Sequence, residues 1–390
     1  MTKKILPKLF HANHFRHFVL ATIEIIAVVS VGVYIYNISY AATPYASVNT
    51  ASGTLSGVAS VQSSLSQNGE KYVQFGSVSP STNQVVSSQG FTQGQPALMI
   101  PAYVYPAYFN GSSNVLVGTW ATLAKTKPAN PNDIVIANVD TGPCNYSGTT
   151  CSIDPNYTMA IKAIIAEGWK VYGYVDTGYL GTTVPGNSTT PRLTRSGSTS
   201  ESAWINQIQM DETQWYKAFG KNISGLFLDD VSNSSSYLSV YQSLATYDST
   251  YYGNNVIFNP GDAPSSTFTV PGAFHSGNAM QFYESCYSSS GSGCSGGMTW
   301  KPGSTPADYS PLSPSFYRGI AAVFTVYSTP QADLNSVISS AKSLGAAYLY
   351  VSDQNFGAIS YFPNGNEYCS GSPYCNLPTY FNSENTDLAY

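Results

Sequence analysis

From Ala97 onward the chain alternates short apolar runs with longer stretches of mixed polarity. Eight runs occur: ALMIPAYVY (97–105), DIVIANV (133–139), KVYGYVDT (170–177), ISGLFLDD (223–230), NVIFNP (255–260), AMQFYE (279–284), IAAVFTVY (320–327) and AAYLYVS (346–352). Each is nearly continuous rather than alternating, the pattern of strands covered on both faces. Between them, helical spacing of apolar residues predicts helices over 115–126, 155–168, 203–220 and 331–344. Asp154-Pro155 adds a start signal to the second, because Asp caps free N–H groups and Pro suits the first turn. Strands alternating with helices predict a parallel α/β sheet. Eight repeats over 96–390 match the roughly 250 residues of a closed barrel. An open doubly wound sheet carries a glycine-rich phosphate turn after its first strand, and none follows Tyr105. The expected fold is therefore α/β, a (β/α)8 TIM barrel over 96–390.

Ahead of the barrel the pattern changes. Residues 43–95 are rich in Ser, Thr, Gly, Asn and Gln, with one small apolar group at Tyr72, Val73 and Phe75. A linker or a small β element is expected there. Residues 1–42 carry Lys3, Lys4, Lys8 and Arg16, then an apolar run from Phe18 to Tyr36 broken by Glu24, then Ser39-Tyr40-Ala41-Ala42. Basic residues, an apolar stretch and small residues in that order are an export signal. Its length serves either a signal peptide cleaved after Ala41 or Ala42, or a transmembrane signal anchor. Either way the barrel is expected to be secreted or anchored to the outer face of the membrane, touching lipid only through this segment.

Charge narrows the partners. The formal charge is −5, and the four basic and one acidic residues of 1–42 leave −8 on the remainder. An acidic exported part argues against nucleic acid, whose phosphates need a basic face, and suits neutral or cationic glycans. The six cysteines form three close pairs: Cys144 with Cys151, Cys286 with Cys294, and Cys369 with Cys375. Neighbour pairing into three disulfides is read from spacing, although six cysteines allow fifteen connectivities. A zinc site is the weaker alternative, because the tight Cys-x-x-Cys spacing is missing.

Beyond residue 42 only one histidine remains, His275, with no Gly-x-Ser-x-Gly elbow near it. That argues against a Ser-His-Asp triad and against a catalytic zinc, so no metal and no cofactor is expected. Strand ends instead carry oxygen: Asn138 and Asp140 after the second run, Asp176 after the third, Asp229 and Asp230 closing the fourth, Asn259 at the fifth, Glu284 at the sixth, and Asp353 after the eighth. In barrel enzymes this C-terminal rim is where active sites sit. Asp140 and Asp353 also read as turn residues. Tyr103, Tyr105, Tyr174, Tyr179, Tyr283 and Tyr327 lie near the same ends and could stack on sugar rings. Two carboxyl groups facing one pocket are what glycosidic cleavage needs.

The motifs PAYVYPAY (101–108), ANVDTGPC (137–144), NYTMAI (156–161), GYVDTGY (173–179), GLFLDD (225–230), FNPG (258–261), FYES (282–285) and LPTYF (377–381) together resemble the spherulin-4, or spherulation-specific, family. The resemblance runs in order over about 97–381 and implies a (β/α)8 barrel related to glycoside hydrolases that act on galactosamine-containing polysaccharides. It implies that Asp229, Asp230 and Glu284 are the catalytic carboxylates, and that Asp176 and Tyr103 line the sugar cleft. Asp230 departs from the pattern, which is usually Asp-Glu. NVDTGP likewise departs from a family pattern closer to Asn-Pro-x-x-Gly-Pro.

The reading is thus an endo-acting glycoside hydrolase for a galactosamine-containing or galactose-rich polysaccharide, monomeric, with Asp229, Glu284 and Asp230 catalytic. Tyr103, Asn138, Asp176, Tyr179, Asn259 and Asp353 are expected to bind substrate. The alternatives are a non-catalytic glycan-binding barrel at the cell surface and a structural surface protein.

Overall fold

A computed structural model of the chain describes residues 95–388, apart from 149, 184–189, 276, 289–293, 295–299 and 301–319, together with two strands nearer the N-terminus. The chain forms two compact units, Met1–Asn83 and Gln84–Tyr390. In the first, Ala59–Ser63 and Lys71–Phe75 pair antiparallel. The export segment read in residues 1–42 lies outside the described residues.

In the second unit eight parallel strands close a ring: β1 (Ala97–Ala102), β2 (Ile134–Ala137), β3 (Lys170–Asp176), β4 (Gly225–Asp229), β5 (Asn255–Phe258), β6 (Ala279–Cys286), β7 (Ala321–Tyr327) and β8 (Ala346–Val351). They follow one another around the barrel in chain order, and β8 pairs with β1 to close it. The closed (β/α)8 barrel expected from the run pattern is the fold observed.

Helices on the outside are α1 (Gly118–Leu123), α2 (Pro155–Glu167), α3 (Glu201–Phe219), α4 (Leu238–Tyr252), α5 (Ser266–Thr269), α6 (Leu334–Ser343) and α7 (Phe381–Leu388). The Asp154 carboxylate accepts from the Asn156 N–H at 2.8 Å to start α2, and Gly168 ends the helix at φ 107°. The first predicted helix is shorter than 115–126, because Asn114–Leu116 pairs instead with Ala107–Phe109. The spacing reading had no counterpart for α4: its buried stripe is Tyr241, Leu244, Ala245 and Asp248, so a carboxylate and a phenol stand where apolar residues were sought.

Both strand faces are buried, which explains the continuous runs. Ala97, Met99, Ile134, Ile136, Tyr172, Tyr174, Phe227 and Ile257 fill the barrel interior. Leu98, Ile100, Val135, Val171, Val175, Leu226, Leu228 and Val256 face the helices. Glycines admit close packing at two points. A Cβ at Gly173 would meet the Trp215 ring at 2.6 Å, and one at Gly225 would meet the Tyr172 ring at 2.4 Å.

Three disulfides are present, Cys144–Cys151, Cys286–Cys294 and Cys369–Cys375, as the spacing predicted.

Candidate active site

Side chains two apart on a strand share a face. Tyr172 and Tyr174 point into the barrel, so Asp176 continues that row to the rim; Phe227 carries Asp229 up in the same way, and Ile257 carries Asn259. On β6 strict alternation from Ala279 would bring Tyr283 inside and turn Glu284 out. A bulge between Gln281 and Tyr283 changes the parity. Phe282 and Tyr283 both pack in the outer core, and Glu284 faces inward.

The result is one connected group. The Tyr174 hydroxyl donates to Asp229 Oδ2 at 2.7 Å. Asn259 Nδ2 donates to Asp229 Oδ1 at 2.8 Å and to Glu284 Oε2 at 2.6 Å. Laid end to end, those two bonds limit the separation of the two carboxylate oxygens to about 5.4 Å. The Tyr374 hydroxyl donates to Glu284 Oε1 from the far end of the chain. Beside Asp229, Arg192 Nη2 bridges Asp230 Oδ2 at 2.8 Å and Asp176 Oδ2 at 3.0 Å, and the Gly178 N–H donates to Asp176 Oδ1 at 2.8 Å.

Backbone geometry supports this arrangement. Asp230 adopts φ 54°, and Tyr179 and Leu180 adopt 50° and 54°. Left-handed conformations cost energy for residues other than glycine, and they cluster at functional sites. Here they lock two loops together: Asp230 O accepts the Tyr179 N–H and the Thr177 hydroxyl, each at 2.7 Å, and Asp229 O accepts the Thr177 N–H at 2.9 Å.

Electrostatics follow from burial. Asp229 is held well above the usual carboxylate range by desolvation, then by the nearby Asp230 and Glu284 charges. Burial also raises Glu284, against the lowering effect of the Tyr374 and Asn259 hydrogen bonds. Asp176 is pushed up to about 6 by burial and Asp230, opposed by Arg192. Tyr103, edge-on to Tyr174 at 5.5 Å and to Tyr374 at 5.3 Å, is raised by burial and by the charges of Asp229 and Glu284. Burial and the Asp230 carboxylate raise Tyr179.

Of the residues singled out from the sequence, Asp229, Asp230, Glu284, Asp176, Asn259, Tyr103 and Tyr179 come together. Asn138 Oδ1 is buried just beyond β2 with no hydrogen-bond partner among the described residues. Asp353 is not drawn into the network: its Oδ1 accepts the Thr379 N–H at 3.1 Å and its Oδ2 accepts the Thr379 hydroxyl, so it anchors the segment before α7. Tyr283 donates to Cys286 O at 2.6 Å inside the outer core, apart from the group around Asp229. Tyr105 bonds Asp154 at 3.0 Å. His275 lies 3.3 Å from Thr246 on the outside. Arg192 and Tyr374 were missed. The scarcity of basic residues could have flagged Arg192, and the Cys369–Cys375 pair could have flagged the loop that carries Tyr374. Among the described residues no group of three or more His, Cys, Asp or Glu is arranged to hold a metal ion.

The family described as Spherulation-specific family 4 matches residues 97–372. Spherulin-4 of Physarum polycephalum is 26% identical over 179 residues, 45% of this chain and 43% of that protein, so the match spans less than half of the relative. Among solved structures, a broad-specificity endoglucanase from Clostridium longisporum matches with TM-score 0.46 and 13% identity, over 76% of this chain and 95% of that one. A glycoside hydrolase family 5 enzyme from Prevotella bryantii matches with TM-score 0.43 and 12% identity, over 77% and 99%.

Proposed function

This chain belongs to the spherulation-specific family 4, and from that premise we propose that it hydrolyses glycosidic bonds within a galactosamine-containing or galactose-rich polysaccharide. The observation that carries the reading is the Asn259 amide, which holds Asp229 and Glu284 with their nearest linked oxygens no more than about 5.4 Å apart. That ceiling lies below the roughly 6.5–9.5 Å of inverting glycosidases and admits the closer pairing of retaining ones. One carboxyl group protonates the glycosidic oxygen as the C–O bond breaks, and the other attacks the anomeric carbon. Water then releases the sugar, giving its proton back to the first group.

Crowding two half-buried carboxyl groups together at the rim favours a pair that shares one proton, and the raised affinities of Asp229 and Glu284 support this. Asp230, ion-paired to Arg192, orients the cleft wall. Asp176, Tyr179, Tyr103 and Asn138 are assigned to sugar binding, Asn259 to holding the carboxyl pair, and Asp353 to structure. We take residues 1–42 as the export segment, 43–95 as a linker with a small β element, and 96–390 as a monomeric barrel outside the cell, where three disulfides are stable.

The test is reducing-end release from a partly deacetylated galactosamine polymer. Asp229→Asn and Glu284→Gln should each lower turnover by about 10² to 10⁴ fold while binding persists. Added azide should rescue whichever variant lacks the acid, because azide, unlike water, has no proton that a general base must take as it attacks the intermediate. Wild-type protein that binds the polymer but frees no ends would overturn the reading in favour of a glycan-binding barrel.

A further inference from the structure

Glu284 receives its second hydrogen bond from a device built by the C-terminal part of the chain. After β8, Ile359–Tyr361 pairs antiparallel with Glu367–Ser370. The turn that follows is closed on itself by Cys369–Cys375. Within it the Cys375 N–H donates to Ser372 O and the Tyr374 N–H to Ser372 Oγ, each at 3.2 Å. From the hairpin, the Ser360 hydroxyl donates to Cys375 O at 2.8 Å, and Cys375 is fully buried. So anchored, the turn sends Tyr374 inward. Its ring stands edge-on to Tyr103 at 5.3 Å and to Tyr327 at 6.5 Å, and its hydroxyl meets Glu284 Oε1.

A glutamate has three rotatable bonds, and one hydrogen bond leaves its carboxyl plane free to turn. Asn259 holds Oε2 and Tyr374 holds Oε1, so the two donors together fix the plane. Neither Tyr374 nor Cys375 falls within the residues matched to the family, which stop at 372.

We propose that Tyr374 is a positioning residue for Glu284 and that the Cys369–Cys375 disulfide holds it in place, so that the carboxyl pair is complete only in the oxidised protein. This rests on the reading that Glu284 takes part in the chemistry.

The experiment compares the full-length chain with Tyr374→Phe, which removes one hydroxyl and keeps the ring. The variant should lose kcat by about 10 to 100 fold, the scale of a misplaced group, with KM little changed. Because the hydroxyl donates to the carboxylate, its loss should also raise the pH at which Glu284 ionises, followed by isotope-edited infrared spectroscopy without any substrate. The double variant Cys369→Ser/Cys375→Ser, which removes this disulfide and leaves the other two, should slow the protein and add little to the loss already present in Tyr374→Phe. Wild-type kcat and an unmoved Glu284 titration in Tyr374→Phe would overturn the positioning role. Equal slowing by the two cysteine substitutions with and without Tyr374→Phe would overturn the role of the disulfide. If Glu284→Gln stays active, the catalytic reading fails instead, and the infrared titration still decides whether Tyr374 governs Glu284.

Discussion

Arg195 grips Asp211 with both arms of its guanidinium, Nη1 to Oδ2 at 2.9 Å and Nη2 to Oδ1 at 2.6 Å. Asp211, on α3, is fully buried, and the Tyr146 hydroxyl also donates to it at 2.5 Å. The Tyr146 ring lies 3.7 Å beneath the Arg195 guanidinium. This triad ties the disulfide-closed hairpin after β2 to the loop after β3. Arg195→Met leaves a buried carboxylate without its cation and should cost about 3–5 kcal/mol. Arg195→Lys keeps the charge, loses the fork and the stacking, and should fall between. Denaturant unfolding of the three proteins checks the order.

Asn259 predicts a different signature. Its amide is the group common to Asp229 and Glu284, and its Oδ1 accepts the Gly261 N–H at 3.0 Å. Asn259→Ala should therefore reduce kcat by about 10² fold with a smaller effect on KM, since pairing geometry is lost and substrate contacts remain. Steady-state kinetics separate the two, and an effect confined to KM would count against the bridge.

Stability should fall as pH rises. Burial is the leading cause that lifts Asp133 and Asp176 to about 6 and Asp248 to about 7, and it raises Glu212 and Glu384 well above the usual range. Unfolded, these groups titrate near 4. Between about pH 4 and pH 7 the folded state thus binds more protons than the unfolded one, so stability is full below that window and is lost through it. Thermal melting at pH 5 should exceed that at pH 8, and Asp248→Asn should narrow the gap. A melting temperature that climbs from pH 5 to pH 8 would contradict the assignment.

Gly173→Ala tests how tightly the barrel is packed beneath the cleft. The new methyl would lie 2.6 Å from the Trp215 ring, whose Nε1 donates to Tyr174 O at 2.8 Å. Overpacking of this kind costs about 1–3 kcal/mol. Because β3 also presents Tyr174 and Asp176, activity should drop together with stability, which melting curves and assays on one preparation would reveal.

The barrel was legible because burial on both strand faces writes itself as continuous apolar runs, and the disulfides because their partners are near in sequence. Asp229, Asp176 and Asn259 could be placed at the rim because each stands at the end of an apolar run. Tyr283 stands at a strand end yet packs outward, because the bulge on β6 shifts the parity and turns Glu284 inward instead, which a continuous apolar run does not reveal. Helix α4 hid behind Tyr241 and Asp248, polar groups in its buried stripe. Tyr374 reaches Glu284 across a separation of 90 residues, and no local pattern reports such a contact.

The charged groups of the rim, from Asp176 through Arg192, Asp229 and Asp230 to Glu284, come from β3 to β6 and the loop between β3 and β4, one arc of the ring. The facing arc supplies rings, Tyr103, Tyr327 and Tyr374. Under the proposed function, a sugar chain laid across such a rim meets acid on one side and phenol rings on the other. Its two ends are chemically different, so under that function the two directions of laying it across the rim have different energies.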